Sequence, residues 1–115
     1  MGLNAYQQAL KTTEDPRNTE YRLFAEITRD LMAAKERGVR DAQLIEAIDR
    51  NRQLWIMLAT DCADDSNQLP KQTRAAIVSL SIFVHKYSAR VSRGAEDITD
   101  LIDINRTIMK GLQPK

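Results

Sequence analysis

One cysteine, Cys62, and one histidine, His85, leave this chain of 115 residues short of the side chains that usually build metal centres, disulfide frameworks and nucleophilic sites. A lone cysteine closes no internal disulfide, so the framework of a small secreted protein is excluded and a reducing cytoplasm is the simplest expectation. Glycine and proline are scarce, at 4 and 3 residues. No glycine loop of the phosphate-cradling kind, no Cys-x-x-Cys pair, no His-Glu-x-x-His run, no calcium-loop spacing and no Gly-x-Ser-x-Gly elbow is present. Neither a bound metal nor a cofactor is therefore expected. Asn-Gly and Asp-Gly hairpin turns are missing, as is any sustained alternation of apolar and polar residues, which argues against strands. Ser79, Ser81, His85 and Lys86 interrupt the most apolar stretch, so no run approaches the roughly 20 apolar residues of a membrane span. The start, Met1 to Gln8, lacks the basic and apolar parts of a signal peptide, and no membrane insertion is expected. Charge of one sign is lacking too: 17 basic residues face 16 acidic ones, for a formal net charge of +1. A protein living on phosphate contacts usually carries a basic excess or a concentrated basic face. Here Arg50 and Arg52 stand beside Glu46 and Asp49, and Lys86, Arg90 and Arg93 precede acids, as on solvated helix faces. Direct RNA binding is not favoured.

What the chain does have is helical periodicity. A length of 115 residues fits one domain over residues 1–115, able to bury roughly two thirds of its unfolded surface. A short helix is expected over Asn4–Thr13, with Ala5, Tyr6, Ala9 and Leu10 on one edge. It is too short to stand alone, so it either packs on the body or waits for a partner. Asp15 then caps a second helix that opens on Pro16 and runs to about Lys35, with Leu23, Phe24, Ile27, Leu31 and Ala34 as its stripe and Tyr21 and Met32 at the margin. A third, from Asp41 to about Asp61, buries Leu44, Ile48, Trp55, Leu58 and Cys62, with Ile45, Leu54 and Met57 flanking. After the polar loop Asp64 to Gln68 comes the most apolar segment, Pro70 to Gly94. It carries Ile77, Leu80, Val84, Tyr87 and Val91 on one stripe and Ala75, Val78, Ile82 and Ala89 on a second. Two apolar faces call for cover on several sides, so this segment is expected to be the central helix. Glu96, Asp97 and Asp100 fall in the expected first turn of a last helix with Ile98, Leu101, Ile102, Ile108, Met109 and Leu112 on its apolar side. Residues 113–115 are expected to fray. The fold class is all-α: a single-domain bundle of four substantial helices plus a short N-terminal helix.

Residues that could carry chemistry are few. Cys62 shares the stripe of Trp55 and Leu58 and reads as a small core residue. His85, near a helix end, reads as a boundary residue. Asp97, Asp100 and Asp103 lie three apart but need a converging partner before they form a metal site. An enzyme is therefore not expected. Asn51 and Asn105 are more informative, because each places an amide on an apolar stripe. An amide buried without partners costs on the order of 1 to 3 kcal/mol, so each must be satisfied. Either they bond nearby backbone or each other and fix helix register, or they line a groove and bond a partner chain. Trp55 reads as a core anchor rather than an exposed hot spot.

Several stretches taken together resemble a known family. They are Ala5-Tyr6, Glu14-Asp15-Pro16-Arg17, Thr19-Glu20-Tyr21-Arg22-Leu23-Phe24, Asn51-Arg52-Gln53-Leu54-Trp55, Asn67-Gln68-Leu69-Pro70, Ile77-Val78-Ser79-Leu80-Ser81, and the run from Leu101 to Met109. In order and spacing they resemble the FlaF family of flagellar biosynthesis regulators from alphaproteobacteria, over nearly the whole chain. The resemblance implies a small cytoplasmic factor that promotes flagellin production or export, binds flagellin in the manner of an export chaperone, and acts opposite FlbT, a regulator that restrains flagellin translation. It implies no catalytic residues. On this view an apolar groove beside the central helix, edged by Asn51, Trp55, Asn105 and Arg106, is expected to receive a flagellin terminal helix. Arg52 and the aromatic residues Tyr6, Tyr21 and Phe24 are the other expected partner-binding positions. Two other expectations stand beside this one: regulation through flagellin messenger RNA, and an adaptor that binds FlbT alone.

Overall fold

The computed structural model describes residues 16–112, with side chains placed from 21 to 110. The expected Asn4–Thr13 helix, the Asp15 cap and the tail at 113–115 lie outside these residues. Four helices follow one another: α1 (Pro16–Arg37), α2 (Ala42–Ala63), α3 (Lys71–Ser92) and α4 (Thr99–Leu112). Among the described residues there is no strand, in line with the all-α expectation.

The helix ends follow from local chemistry. α1 stops where Gly38 takes φ +66°, a left-handed conformation that costs glycine little. The Asp41 carboxylate then accepts the Leu44 N–H at 2.9 Å and opens α2. Pro70 stands one residue outside α3, rather than at its first helical position, and its carbonyl accepts the Arg74 N–H at 3.0 Å. α3 closes on Gly94, φ +82°, with the Ala95 N–H donating back to the Arg90 carbonyl at 2.9 Å. Of the three acids expected in the first turn of the last helix, only Asp100 is there, because α4 begins at Thr99. Asp97 instead caps from outside, accepting the Thr99 N–H.

Two arginines cap helices other than their own. Arg40, in the α1–α2 loop, donates to the Val91 carbonyl at 3.0 Å and to the Ser92 carbonyl, closing the C-terminus of α3. Arg74, in α3, donates to the Cys62 carbonyl at 2.7 Å and the Asp64 carbonyl at 2.8 Å, closing that of α2. Carbonyls at helix C-termini thus become long-range ties, and the guanidinium charge also complements the helix dipole.

The packing corrects the expected centre of the molecule. α2 lies between α1 and α3 and buries Leu44, Ala47, Ile48, Asn51, Leu54, Trp55, Leu58 and Cys62. α4 packs on α1, while the pairing of α3 with α4 is by far the slightest between neighbours. α3 is therefore a flank rather than the centre. Its first stripe is buried at Ile77, Val84, Tyr87 and Val91, with Leu80 half-buried. Its second stripe is not covered: Ile82 is 55% exposed, Ala75 and Ala89 are exposed, and Val78 is half-buried. Ser81 and Ser88 are buried in its place. These small side chains let α3 approach α2 closely enough for the Ser81 hydroxyl to donate to the Trp55 carbonyl at 3.2 Å.

Burial on α1 matches its stripe at Phe24, Ile27, Leu31 and Ala34, with Thr28 added. Arg50 ties α2 to α1 through Asp30 at 2.8 Å and Glu26 at 3.5 Å. These pairs are part-exposed and contribute little, about 0 to 1 kcal/mol each.

The caps make stability depend on acid. Hydrogen bonds from Arg37 and from the Leu44 N–H hold the Asp41 carboxyl below the usual carboxylate value of 3.8. The Ser66 N–H and hydroxyl do the same for Asp64, and Thr99 for Asp97. Asp61 lies on the surface, yet partial desolvation, with the Asp64 charge added, raises its pKa. A depressed folded pKa means stability that is present above the unfolded value and lost as pH falls through the folded one. With three depressed groups against one raised, the melting temperature should hold down to about pH 5 and drop as pH goes below the ordinary carboxylate range. Asp41→Asn should flatten that drop in a pH series of thermal melts. Replacing Arg40 by Ala should cost about 1 to 2 kcal/mol in chemical denaturation, through exposed α3 carbonyls, with helix content unchanged at low temperature.

Candidate functional site

At the centre of the bundle a polar cluster joins three helices. Trp55 of α2 donates its indole N–H to Asn105 Oδ1 of α4 at 2.8 Å. Because an indole only donates, this contact fixes which end of the Asn105 amide faces Trp55. Asn105 Nδ2 is then left to donate to Thr28 Oγ1 of α1 at 3.0 Å and to Asn51 Oδ1 of α2 at 2.7 Å. One amide therefore satisfies itself completely with its partners on α1 and α2. Asn51 and Asn105 are fully enclosed, and Trp55 and Phe24 are 1% exposed. Phe24 meets Trp55 edge to face, with centroids 5.7 Å apart and planes at 87°. Asn51 Nδ2 and the Ser88 hydroxyl are buried with no protein partner, each at a cost on the order of 1 to 3 kcal/mol.

The expected partner-binding residues thus separate. Asn51, Trp55, Asn105 and Phe24 do not edge a groove. They face one another in the core, where Asn105 bonds both Trp55 and Asn51 and the Phe24 ring meets Trp55. Arg52 is half-buried on α2, with Nη1 4.0 Å from Asp49. Arg106 is exposed and shares a cleft with Tyr21, Met109 and Lys110 at the end where α1 begins and α4 finishes. Tyr6 lies outside the described residues. Thr28 was missed by periodicity, since a threonine on an apolar stripe looks neutral until its partner is known.

Catalytic candidates do not assemble either. Cys62 is buried among core residues, while His85 is exposed on α3. Among the described residues no group of three or more His, Cys, Asp or Glu comes together as a metal site would require. The Tyr87 hydroxyl donates to the Asp97 carbonyl at 2.9 Å, and its pKa is pushed up to about 12 by burial and then by the nearby acids Asp100, Glu96 and Asp97. It stays protonated and structural at physiological pH.

Over residues 3–112 the chain matches the family described as flagellar protein FlaF. It belongs to that family. No curated protein and no solved structure matches it. In this FlaF family member one side of α3 is left uncovered by the bundle. There Ile82 and Phe83 are 55% and 44% exposed, flanked by exposed Ala75 and Ala89 and half-buried Val78. Phe83 stacks on Tyr87, with centroids 5.4 Å apart, which holds its ring in a fixed pose on the helix. Ile56, 50% exposed, stands on the neighbouring α2. Among the described residues no helix is long and apolar enough to cross a membrane, so the apolar face of α3 is not part of a span.

The cluster predicts strong coupling. Asn105→Ala should cost about 2 to 4 kcal/mol in urea denaturation, because it strands the Trp55 indole N–H in an apolar surround. The Asn51→Ala/Asn105→Ala double mutant should cost less than the sum of the two single changes, with a coupling of about 0.5 to 3 kcal/mol. Strict additivity would mean that the two amides do not meet.

Proposed function

We propose that the protein is a non-enzymatic factor of flagellar biosynthesis that promotes flagellin synthesis and export by binding flagellin as an export chaperone in the cytoplasm, in opposition to FlbT. Membership of a flagellar protein family supports the flagellar setting. The observation that carries the finer reading is the uncovered apolar face of α3 around Ile82 and Phe83.

Flagellin's terminal segments are amphipathic helices that must remain unassembled before export. An amphipathic helix buries its apolar side in a complementary apolar surface, reading it through positions three and four apart. Ala75, Val78 and Ile82 have that spacing on α3, with Ala89 two turns further along, and the alanines leave room for the ligand's side chains. Phe83 supplies an anchor whose rotamer Tyr87 already restricts, so little entropy is lost when it is covered. The binding surface in this reading is not the asparagine cluster, which serves the fold. The balanced charge of the chain gives the messenger RNA reading no comparable support.

Titration of the purified protein with flagellin tests the proposal. Ile82→Ser together with Phe83→Ser should weaken binding by at least about tenfold, in keeping with loss of a buried anchor. The melting temperature should change little, since both side chains are exposed. Unchanged affinity in the folded double variant would remove α3 as the site. Retention of FlbT or RNA, with no flagellin, in a copurification would replace the chaperone reading with an adaptor or a messenger-binding one.

A further inference from the structure

α2 buries one side in the bundle and turns another outward, and the outward side has a pattern of its own. Ala42, Ile45, Asp49, Arg52, Ile56 and Ala59 follow one another at alternating steps of three and four residues, the seam spacing of a coiled coil. The bundle leaves this stripe open: Ile45 and Ile56 are 44% and 50% exposed, Ala42 and Asp49 are exposed, and Arg52 and Ala59 are half-buried. Arg52 is poorly satisfied where it stands. Its Nε is buried with no hydrogen-bond partner, and its Nη1 lies 4.0 Å from Asp49 Oδ1, at the outer limit of an ion pair. Gln53 bonds the other carboxylate oxygen of Asp49, Oδ2, at 3.0 Å.

We propose that two copies of this protein associate through α2, antiparallel across this stripe. The stripe is complementary to itself when reversed. A twofold axis crossing α2 between Arg50 and Asn51 sets Ala42 opposite the partner's Ala59, Ile45 opposite the partner's Ile56, and Asp49 opposite the partner's Arg52. Each apolar residue then meets an apolar one of similar size, and each charge meets its opposite. The small alanines stand at the two ends, where they let the helices approach. A parallel alignment of the same stripe would set Asp49 against Asp49 and Arg52 against Arg52, so the charges at its middle select the antiparallel one. In that arrangement Arg52 gains a carboxylate from the second copy in place of the distant one on its own helix. The stripe covers about 25 Å of helix, and one helix pair falls at the small end of protein interfaces, below about 1,200 Å² in total. The dimer is therefore reversible, with half-association at concentrations on the order of micromolar or above.

Sedimentation equilibrium of the full chain, with no flagellin present, tests this separately from the chaperone reading. The weight-average mass should rise from 13.1 kDa toward twice that value as protein concentration increases through the micromolar range. Arg52→Glu sets acid opposite acid at both central pairs, and Asp49→Arg sets arginine opposite arginine. Each variant alone should associate at least about tenfold more weakly than the unaltered chain. Mixed in equal amounts, the two should form a heterodimer at least as tight as the unaltered dimer, because both central pairs are again of opposite sign. That recovery also shows that neither variant has lost its fold. An unaltered chain that stays at 13.1 kDa throughout would overturn the proposal. So would a dimer that Arg52→Glu leaves unchanged, or a mixture of the two variants that associates no better than each alone.

Discussion

The bundle depends on one amide. Asn105 accepts from the Trp55 indole and donates to Asn51 and Thr28, so α1, α2 and α4 are held at a single height relative to one another. Apolar contacts alone would tolerate sliding by a helical turn, because a leucine stripe packs nearly as well against the next layer. A buried amide does not: displaced by one turn, four polar groups would be stranded at a cost of several kcal/mol. The cluster therefore contributes less to net stability than to the choice of one packing. The unpartnered Asn51 Nδ2 shows that this choice carries a cost.

With α1, α2 and α4 fixed in this way, α3 is attached by a different means. It leans on α2 through small serines and aliphatic residues, touches α4 only slightly, and is tied at its two ends by arginine caps. Such a helix keeps one side for the fold and leaves the other in water. Exposed Ile82 and Phe83 have no role in the core and lower solubility. Their presence on this member of a flagellar protein family has a physical rationale if the face is covered by a partner helix for part of the protein's life.

Helix identity was legible in the sequence, because it follows from local spacing, and the helix ends at Gly38, Asp41 and Gly94 rest on residues with strong conformational preferences. The stripes of α1 and α2 were legible for the same reason. The role of α3 was not. Periodicity reports how many apolar faces a helix has, and the pairing of helices decides which are covered. For α3 that pairing left Ala75, Ile82 and Ala89 outside and drew Ser81 and Ser88 in. Asn51 and Asn105 stood out as polar breaks in apolar stripes, yet a core amide and a groove amide look alike until the partner is in view. The reach of Arg40 to Val91 and of Arg74 to Cys62 had no sequence signal, since an arginine in a loop or on a helix surface is ordinary.

The division of labour between an inward amide cluster and an outward apolar face is the central claim, and hydrogen–deuterium exchange with and without flagellin tests it most directly. New protection should appear in α3 around Val78 to Phe83, while peptides containing Asn51, Trp55 and Asn105 exchange as slowly with flagellin as without it. Protection gained at Asn51 to Trp55 and at Arg106, with α3 unchanged, would contradict the account and return the partner to the core groove.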